Sequence, residues 1–249
     1  MALYLNDFTA GALGATPTGT TLLPGTVEGE FINSESDGVR GLLFSGLNNT
    51  PAFRGLYYNG IVSSGKTQVG TLFKNEAVGT RSARLFAFQV DNNNLYRSVF
   101  IPASGILSLQ AIIAGTFSIL AQVTIPETNA ARYYNWLFEV EPGIPNVLRA
   151  KVWGEGAQEP ENFQIEVNEG QRDLSAGGAI GQVVYEPSLF LRHKFFSVGT
   201  DGQAAEMPIP APTLATPSDI TGTFGAESVD IGWNSVTGAD YFEYEFREV

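Results

Sequence analysis

The chain contains no cysteine and only one histidine among its 249 residues. The lack of cysteine excludes a disulfide framework, thiolate metal ligation and a cysteine nucleophile. A single histidine also excludes a metal site built from two histidines within one chain. His193 lies between Arg192 and Lys194 on a predicted strand. We expect it to titrate at the surface rather than to act in catalysis.

Charged residues make up only 16% of the sequence, and 26 acidic residues outnumber 14 basic ones, which gives a net charge of −12. This charge repels a phosphate backbone and an anionic membrane surface, so the sequence predicts no nucleic-acid partner. P-loop and dinucleotide-binding fingerprints are missing as well. The composition therefore favours a protein with a largely uncharged polar surface.

Residues 106–125 contain no charge and are long enough for a membrane-spanning helix. Their apolar residues nevertheless alternate with polar ones on both sides of Ala114-Gly115, and Pro102 and Pro126 flank the run. We interpret the run as two buried strands around a tight turn, without membrane insertion. The alternative is an apolar surface that docks on a neighbouring subunit.

Residues 148–167 carry the clearest strand pattern of the chain. Leu148, Ala150 and Val152 alternate with polar residues, and Phe163, Ile165 and Val167 do so after a Gly/Pro-containing loop. Period-two alternation on both arms predicts an antiparallel hairpin that buries one face. Trp153 is predicted to cover the end of the core, at the entrance of the loop.

This hairpin resembles those of concanavalin A-like (laminin-G-like) jelly-roll modules. The resemblance extends to a small-residue strand at 175–181, a closing strand at 195–202 and a first strand at 4–8. It implies an all-β fold, an antiparallel β-sandwich over residues 1–205, in which the first strand pairs with the closing strand. Such modules occur in bacteriophage tail and fibre proteins and in extracellular sugar-binding proteins.

The C-terminal residues predict a second unit. Residues 206–213 are proline-spaced and are interpreted as a stiff linker. In residues 214–249, Val229, Ile231 and Trp233 alternate, and a Gly-Ala-x-Tyr sequence ends at Tyr241. This tract resembles the first half of a fibronectin type III domain, which implies a short β tract of three strands. A whole domain of that class needs about seven strands.

Two aromatic stretches are candidate contact sites for a glycan or for another subunit. Arg54, Tyr57 and Tyr58 belong to a strand that is predicted to end at an Asn59-Gly60 hairpin turn. Because neighbouring residues of a strand point to opposite faces, at most one of the two tyrosines can be core.

Tyr133, Asn135 and Trp136 form the second candidate stretch. Tyr134, Trp136 and Phe138 share one strand face, and Tyr133, Asn135 and Leu137 share the other. Aromatic rings beside amide groups suit a sugar, because rings stack on C–H faces and amides bind hydroxyls. The competing interpretation is a sandwich core with one wet face.

No catalytic site is predicted. Jelly-roll glycosidases carry a Glu-x-Asp-x-Glu strand with both carboxylates on one face, and this sequence has no such spacing. Glu139 and Glu141 are two residues apart and are interpreted as charges at a strand end. Asp7, Asp37, Asp91 and Asp201 lie in predicted loops without an Asp-x-Asp cluster, so a structural calcium ion is unsupported and no cofactor is assigned.

The resemblance implies a bacteriophage virion protein of the tail, fibre or adsorption apparatus. Its partners would be copies of itself, other virion proteins and host-surface polysaccharide. The first residues lack the basic and apolar regions of a secretory signal, so we expect synthesis in the host cytoplasm and release with the virion. The alternative is a secreted or surface bacterial carbohydrate-binding protein, and a glycoside hydrolase is a third interpretation.

Overall fold

The computed structural model describes residues 2–8, 11–22, 26, 31–36, 39–45, 53–75, 83–129, 131–170, 172–185, 190–208, 221–224 and 229–232. The chain divides into two compact units, 1–209 and 210–249. The first unit contains two antiparallel sheets. No described helix is long and apolar enough to cross a membrane.

Sheet A has eight strands and includes both termini of the first unit. Seven of them follow the spatial order β13-β12-β11-β6-β15-β4-β3, and β1 pairs with β15 beyond the end of β4. The strands are β1 (Ala2–Asn6), β3 (Phe31–Ser36), β4 (Val39–Ser45), β6 (Thr67–Asn75), β11 (Tyr134–Glu141), β12 (Asn146–Gly154), β13 (Ile165–Glu169) and β15 (Phe190–Thr200).

Sheet B has seven strands in the order β10-β9-β8-β7-β14-β5-β2. Its strands are β2 (Thr20–Leu22), β5 (Phe53–Ser63), β7 (Ala83–Asp91), β8 (Asn94–Ile101), β9 (Ile106–Ile113), β10 (Thr116–Thr124) and β14 (Gly178–Tyr185). The predicted all-β sandwich is therefore confirmed.

The predicted strand pairings agree with the register. In the 148–167 hairpin, Leu148 pairs with Val167 and Ala150 with Ile165, so these four residues share the core face. Phe163 does not, because it precedes β13 and packs with Trp153 on the outer face. The first strand pairs with the closing strand, with Tyr4 opposite Val198. The hairpin register follows from period-two alternation, because a slip of one residue would turn its core side chains outward. The pairing of the first strand with the closing strand is the one that the jelly-roll resemblance implies.

The core between the sheets is dominated by aromatic rings. Trp136 of sheet A is fully buried and lies beside Phe73 and Phe100, with ring centroids 5.4 and 6.2 Å away. Its indole N–H donates to the Ser98 hydroxyl of sheet B at 3.1 Å. This bond satisfies the one polar atom of the ring inside the core and fixes one sheet against the other.

Three predictions about strands need correction. Asn59-Gly60 is not a hairpin turn, because β5 continues through it to Ser63 and Gly60 adopts a φ of 75°. The pairing of β14 with β5 shifts there, so the glycine forms a β-bulge. Of the two strands predicted as buried in 106–125, β9 is buried and β10 is largely exposed.

Trp153 is the third correction. It lies on the outer face of sheet A, where it packs with Leu137 and Ala205 instead of covering the end of the core. Met207 packs against the same cluster, and the Ser197 hydroxyl donates to the Glu206 carbonyl at 2.5 Å. Thus the first residues of the predicted linker lie against the sheet.

The second unit is described only as the antiparallel pair β16 (Thr221–Phe224) and β17 (Val229–Gly232). These two strands coincide with the first two that the sequence predicts beyond the linker. The third predicted strand lies outside the described residues. The fibronectin-like identity of the tract stays a prediction.

His193 is buried, contrary to its predicted surface position, with an exposed fraction of 3%. Its Nδ1 lies 2.8 Å from the Thr71 hydroxyl, which donates to the Phe195 carbonyl. The hydroxyl has one proton, so Nδ1–H must be the donor to Thr71 and the neutral ring carries its proton there. Burial lowers the pKa of His193 to about 3.

We expect His193 to stay neutral in the folded protein down to about pH 3. The unfolded chain binds a proton at this residue below about pH 6.5, so stability should be lost as the pH falls from there towards 3. The single imidazole gives an unambiguous NMR signal, whose Cε1–H shift should not titrate between pH 8 and the acid limit of folding. A midpoint near pH 6.5 in the folded protein would contradict the burial.

Candidate functional site

The predicted contact residues do not form one surface. Tyr58 and Trp136 are core residues with exposed fractions of 1% and 0%, and Asn135 is buried as well. Tyr58 stacks on Phe196 with ring centroids 4.0 Å apart. These three side chains are therefore not available to an external ligand. Arg54 lies in β5, and its side chain is outside the described residues.

Tyr133 is half-buried, and its ring is occupied by cations. The Lys194 ammonium lies 3.8 Å from the ring centroid and the Lys74 ammonium 5.6 Å. Lys194 is held there by an ion pair of 3.0 Å with Glu155. Because a sugar needs an open ring face for stacking, this arrangement makes Tyr133 a poor sugar-binding residue.

Of the predicted contact residues, Tyr57 faces outward, on sheet B. The register places a row of directly opposite residues across six strands of that outer face: Tyr57, Gly181, Phe86, Arg97, Gln110 and Ile119. Five inter-strand steps span about 24 Å. Tyr57 packs beside Phe86 in a small apolar cluster separate from the main core.

The middle of this row is buried, and its β10 end is open. Phe86 is fully buried and Arg97 is 5% exposed, whereas Ile119 and the neighbouring Phe117 are 54% and 50% exposed. Phe117 lies opposite Ile112 on the same face. The accessible part of the outer face at this end of the row is therefore formed by β10.

A chain of polar contacts between side chains of β8 and β9 supports the exposed residues of β10. The Arg97 guanidinium lies 5.2 Å from the centre of the Phe117 ring. Its Nε donates to Gln110 Oε1 at 2.8 Å, and Gln110 Nε2 donates to the Ser108 hydroxyl at 2.9 Å. We call the set Phe117, Ile119, Arg97, Gln110 and Ser108 the Phe117 platform.

The electrostatics of the platform are those of a buried cation. Burial and the neighbouring Arg84 lower the pKa of Arg97 to about 9. The guanidinium is thus still charged at neutral pH and attracts the π face of Phe117. The result is a half-exposed aromatic ring that is held in place by a fixed charge beneath it.

Sequence reasoning missed this platform for an identifiable reason. Phe117 and Ile119 were assigned to a buried strand because they alternate with polar residues in an uncharged run. The register of β10 against β9 shifts between Ile119 and Ala121. This bulge leaves Phe117 and Ile119 outward, while Leu120, Ala121 and Val123 pack against the core. A one-residue shift of this kind has no signal in the alternation itself.

Glu139 and Glu141, the two carboxylates considered for a hydrolase, form ion pairs with basic side chains of the chain itself. Glu139 accepts from Arg149 at 2.6 Å, Gln68 at 2.6 Å and Lys66 at 3.0 Å. Burial alone would raise the pKa of Glu139, but these hydrogen bonds outweigh it and the pKa is lowered. Arg149 also binds Glu141 at 2.7 Å. A general acid requires a raised pKa, so Glu139 is unsuited to the role.

A second buried carboxylate, Glu169, accepts a hydrogen bond from the Tyr96 hydroxyl between the sheets. Asn146 supports this end of the core by donating to the Arg172 carbonyl at 2.7 Å. Burial raises the pKa of Tyr96, with a further contribution from Glu169. The cluster is thus a structural polar contact inside the sandwich.

Among the described residues, no group of three or more histidine or acidic side chains could hold a metal ion. Two of the aspartates considered for calcium have structural contacts instead. Asp91 Oδ1 accepts from the Asn93 amide at 2.7 Å, and Asp201 Oδ1 accepts from the Gly65 amide at 3.2 Å. Asp37 lies outside the described residues.

Comparison with known proteins reveals fold similarity alone. No protein-family model and no curated protein sequence matches the chain. Lectin II from Ulex europaeus is 8% identical over 79% of this chain and 97% of the lectin, with a TM-score of 0.55. An uncharacterised protein from Mycobacterium paratuberculosis is 10% identical over 79% of this chain and 99% of its own length, with a TM-score of 0.53.

The carbohydrate recognition domain of Emp46p, in a metal-free form, is likewise similar in structure. It is 8% identical over 81% of this chain and 100% of that domain, with a TM-score of 0.52. These likenesses show the lectin-like jelly-roll sandwich. At such low identity they do not carry a function or a set of binding residues to this chain.

We expect Tyr58→Ala to lower the free energy of unfolding by about 3–5 kcal/mol, because it removes a ring from the centre of the core. Tyr58→Phe is the matched control. The Tyr58 hydroxyl is buried without a hydrogen-bond partner among the described residues, so its loss should change stability by about 1 kcal/mol or less. Urea denaturation measures both. A stable Tyr58→Ala protein would instead place Tyr58 at a surface.

Proposed function

We propose that the chain is a carbohydrate-binding module that acts by binding, without catalysis, and that the Phe117 platform is its contact surface. The observation that carries this proposal is the half-exposed Phe117 ring held over Arg97 at the open end of a sheet face whose middle is buried. A fixed aromatic ring loses little conformational entropy when a sugar stacks on it.

The chemistry of the platform fits a polyhydroxylated ligand. The apolar C–H face of a sugar ring stacks on Phe117 and contacts Ile119. The rest of the sandwich supplies rigidity, since the Arg97–Gln110–Ser108 chain fixes three residues of two neighbouring strands.

Two structural neighbours support the same proposal, since one is a lectin and the other a carbohydrate recognition domain. Their identity to this chain is 8% in both cases. The inference from them is therefore an analogy of fold, and the platform geometry supplies the specific argument.

A structural role in a bacteriophage virion is a second proposal, with host-surface polysaccharide as the ligand and the virion as the location. One observation favours an assembly role: β10 is an exposed and uncharged strand at the end of sheet B. Imaging of particles that contain the chain would test the location. The two proposals are compatible, because an attachment subunit needs both assembly and ligand contacts.

We expect Phe117→Ala to weaken glycan binding at least about tenfold, or about 1.4 kcal/mol, because it removes the stacking ring. A printed array of plant and bacterial surface oligosaccharides identifies a ligand, and isothermal titration then gives the dissociation constant. Phe117→Trp keeps an aromatic face and should retain binding.

Two further variants separate the platform from other surfaces. Val90→Ala removes a similarly exposed apolar side chain on a different hairpin and should leave binding unchanged. Tyr133→Ala tests the aromatic position on sheet A. Loss of binding with Tyr133→Ala, together with full binding by Phe117→Ala, would move the site to sheet A and overturn the proposal.

A further inference from the structure

Five strands of the two sheets have a described neighbour on one side only, and three of them are protected against pairing with another chain by charge or by their short length. At the ends of sheet A, β13 carries the exposed Glu166 and β3 carries the exposed Glu35. At one end of sheet B, β2 has only three residues. Charges on an edge strand and very short edge strands are the usual means of preventing edge-to-edge association.

The fourth edge strand, β1, is uncharged but has only five residues. The fifth, β10, has none of these protections. It is nine residues long and contains neither proline nor any charged residue. Thr116, Phe117, Ser118 and Ile119 are all exposed. Within the described ranges β10 pairs with β9 alone, so its other backbone edge presents open N–H and C=O groups.

We infer that β10 pairs antiparallel with β10 of a second copy of this chain and joins the two B sheets into one. The distribution of charge along the sequence favours a second copy as the partner of β10. Each copy has a net charge of −12, yet residues 98–126 contain no acidic or basic residue. Two copies can therefore approach along this strand without placing like charges opposite each other, and a two-fold pairing satisfies the same open edge on both.

The bulge fixes the register of this pairing. Opposite residues of an antiparallel pair share a face, and Phe117 and Ile119 face outward while Thr116 and Ser118 line the inner side with Ala111. A two-fold axis at Ser118 places Phe117 opposite Ile119 of the other copy. It also places Thr116 opposite Leu120. An axis at Ile119 would bring the bulged Leu120 into the central pairs, opposite Ser118, and an axis at Phe117 would place Ile119 opposite Gly115 of the turn. The axis at Ser118 meets the bulge only at its outermost pair.

The pairing would bring two Phe117 platforms to the same face of one continuous sheet, because the axis is perpendicular to the sheet. This consequence, unlike the pairing itself, rests on the proposed glycan-binding function. Two adjacent sites would raise the avidity for a repeating polysaccharide without any new contact to the sugar.

The absence of cysteine allows a direct test of the register, with no glycan present. Ser118→Cys should yield a disulfide-linked dimer under mild oxidation, because the two side chains meet at the axis. Gln122→Cys is the matched control, since it is exposed on the same strand. In this register the two Gln122 positions lie about 27 Å apart and should not cross-link.

Solution mass provides the second readout. Light scattering from about 1 µM to about 1 mM should show a monomer–dimer equilibrium for the natural chain. Ser118→Lys should be monomeric throughout, and mixing it with Ser118→Glu should restore the dimer by placing opposite charges at the axis. A natural chain that is monomeric at every concentration, or a dimer that survives Ser118→Lys, would overturn the inference. Glycan affinity of the monomeric variant then tests the proposed function separately.

Discussion

The structure depends on a dry aromatic core shared by two antiparallel sheets. Trp136 lies at its centre, and the bond from its indole N–H to Ser98 is a polar contact that crosses from one sheet to the other. Since each strand presents alternate residues to this core, filling the inner face determines which residues remain for the outer faces. The residues of the outer faces are therefore the ones available to a ligand or to another subunit.

The two outer faces differ in how they are used. On sheet A, Arg149 joins three carboxylates of its two neighbouring strands, and Trp153 is covered together with Ala205 and Met207. This face is occupied by the chain itself. On sheet B, the Phe117 platform ends at an uncharged and exposed strand. Ligand contact and self-association are therefore both expected at the same margin of the molecule.

Local alternation predicted the 148–167 hairpin, and the jelly-roll resemblance implied the β-sandwich and the pairing of the first strand with the closing strand. Prediction from the sequence failed where the register between two strands shifts and so changes the sheet face on which a side chain lies. The bulges at Gly60 and after Ile119 have no compositional signature, so the predicted turn and the buried β10 were wrong. The burial of His193 between two basic residues was equally invisible, because it depends on strands distant in sequence. The candidate site failed for the same reason: Trp136 and Phe117 are both aromatic residues on alternating strands, and only the register separates core from surface.

NMR can test directly whether glycans bind at the Phe117 platform. Backbone amide chemical shifts are mapped during titration with an oligosaccharide selected on the array. The account predicts that the largest shifts lie in β8, β9 and β10 around Arg97, Gln110 and Phe117. Largest shifts around Tyr133 and Lys194 on sheet A, with β10 unchanged, would contradict it.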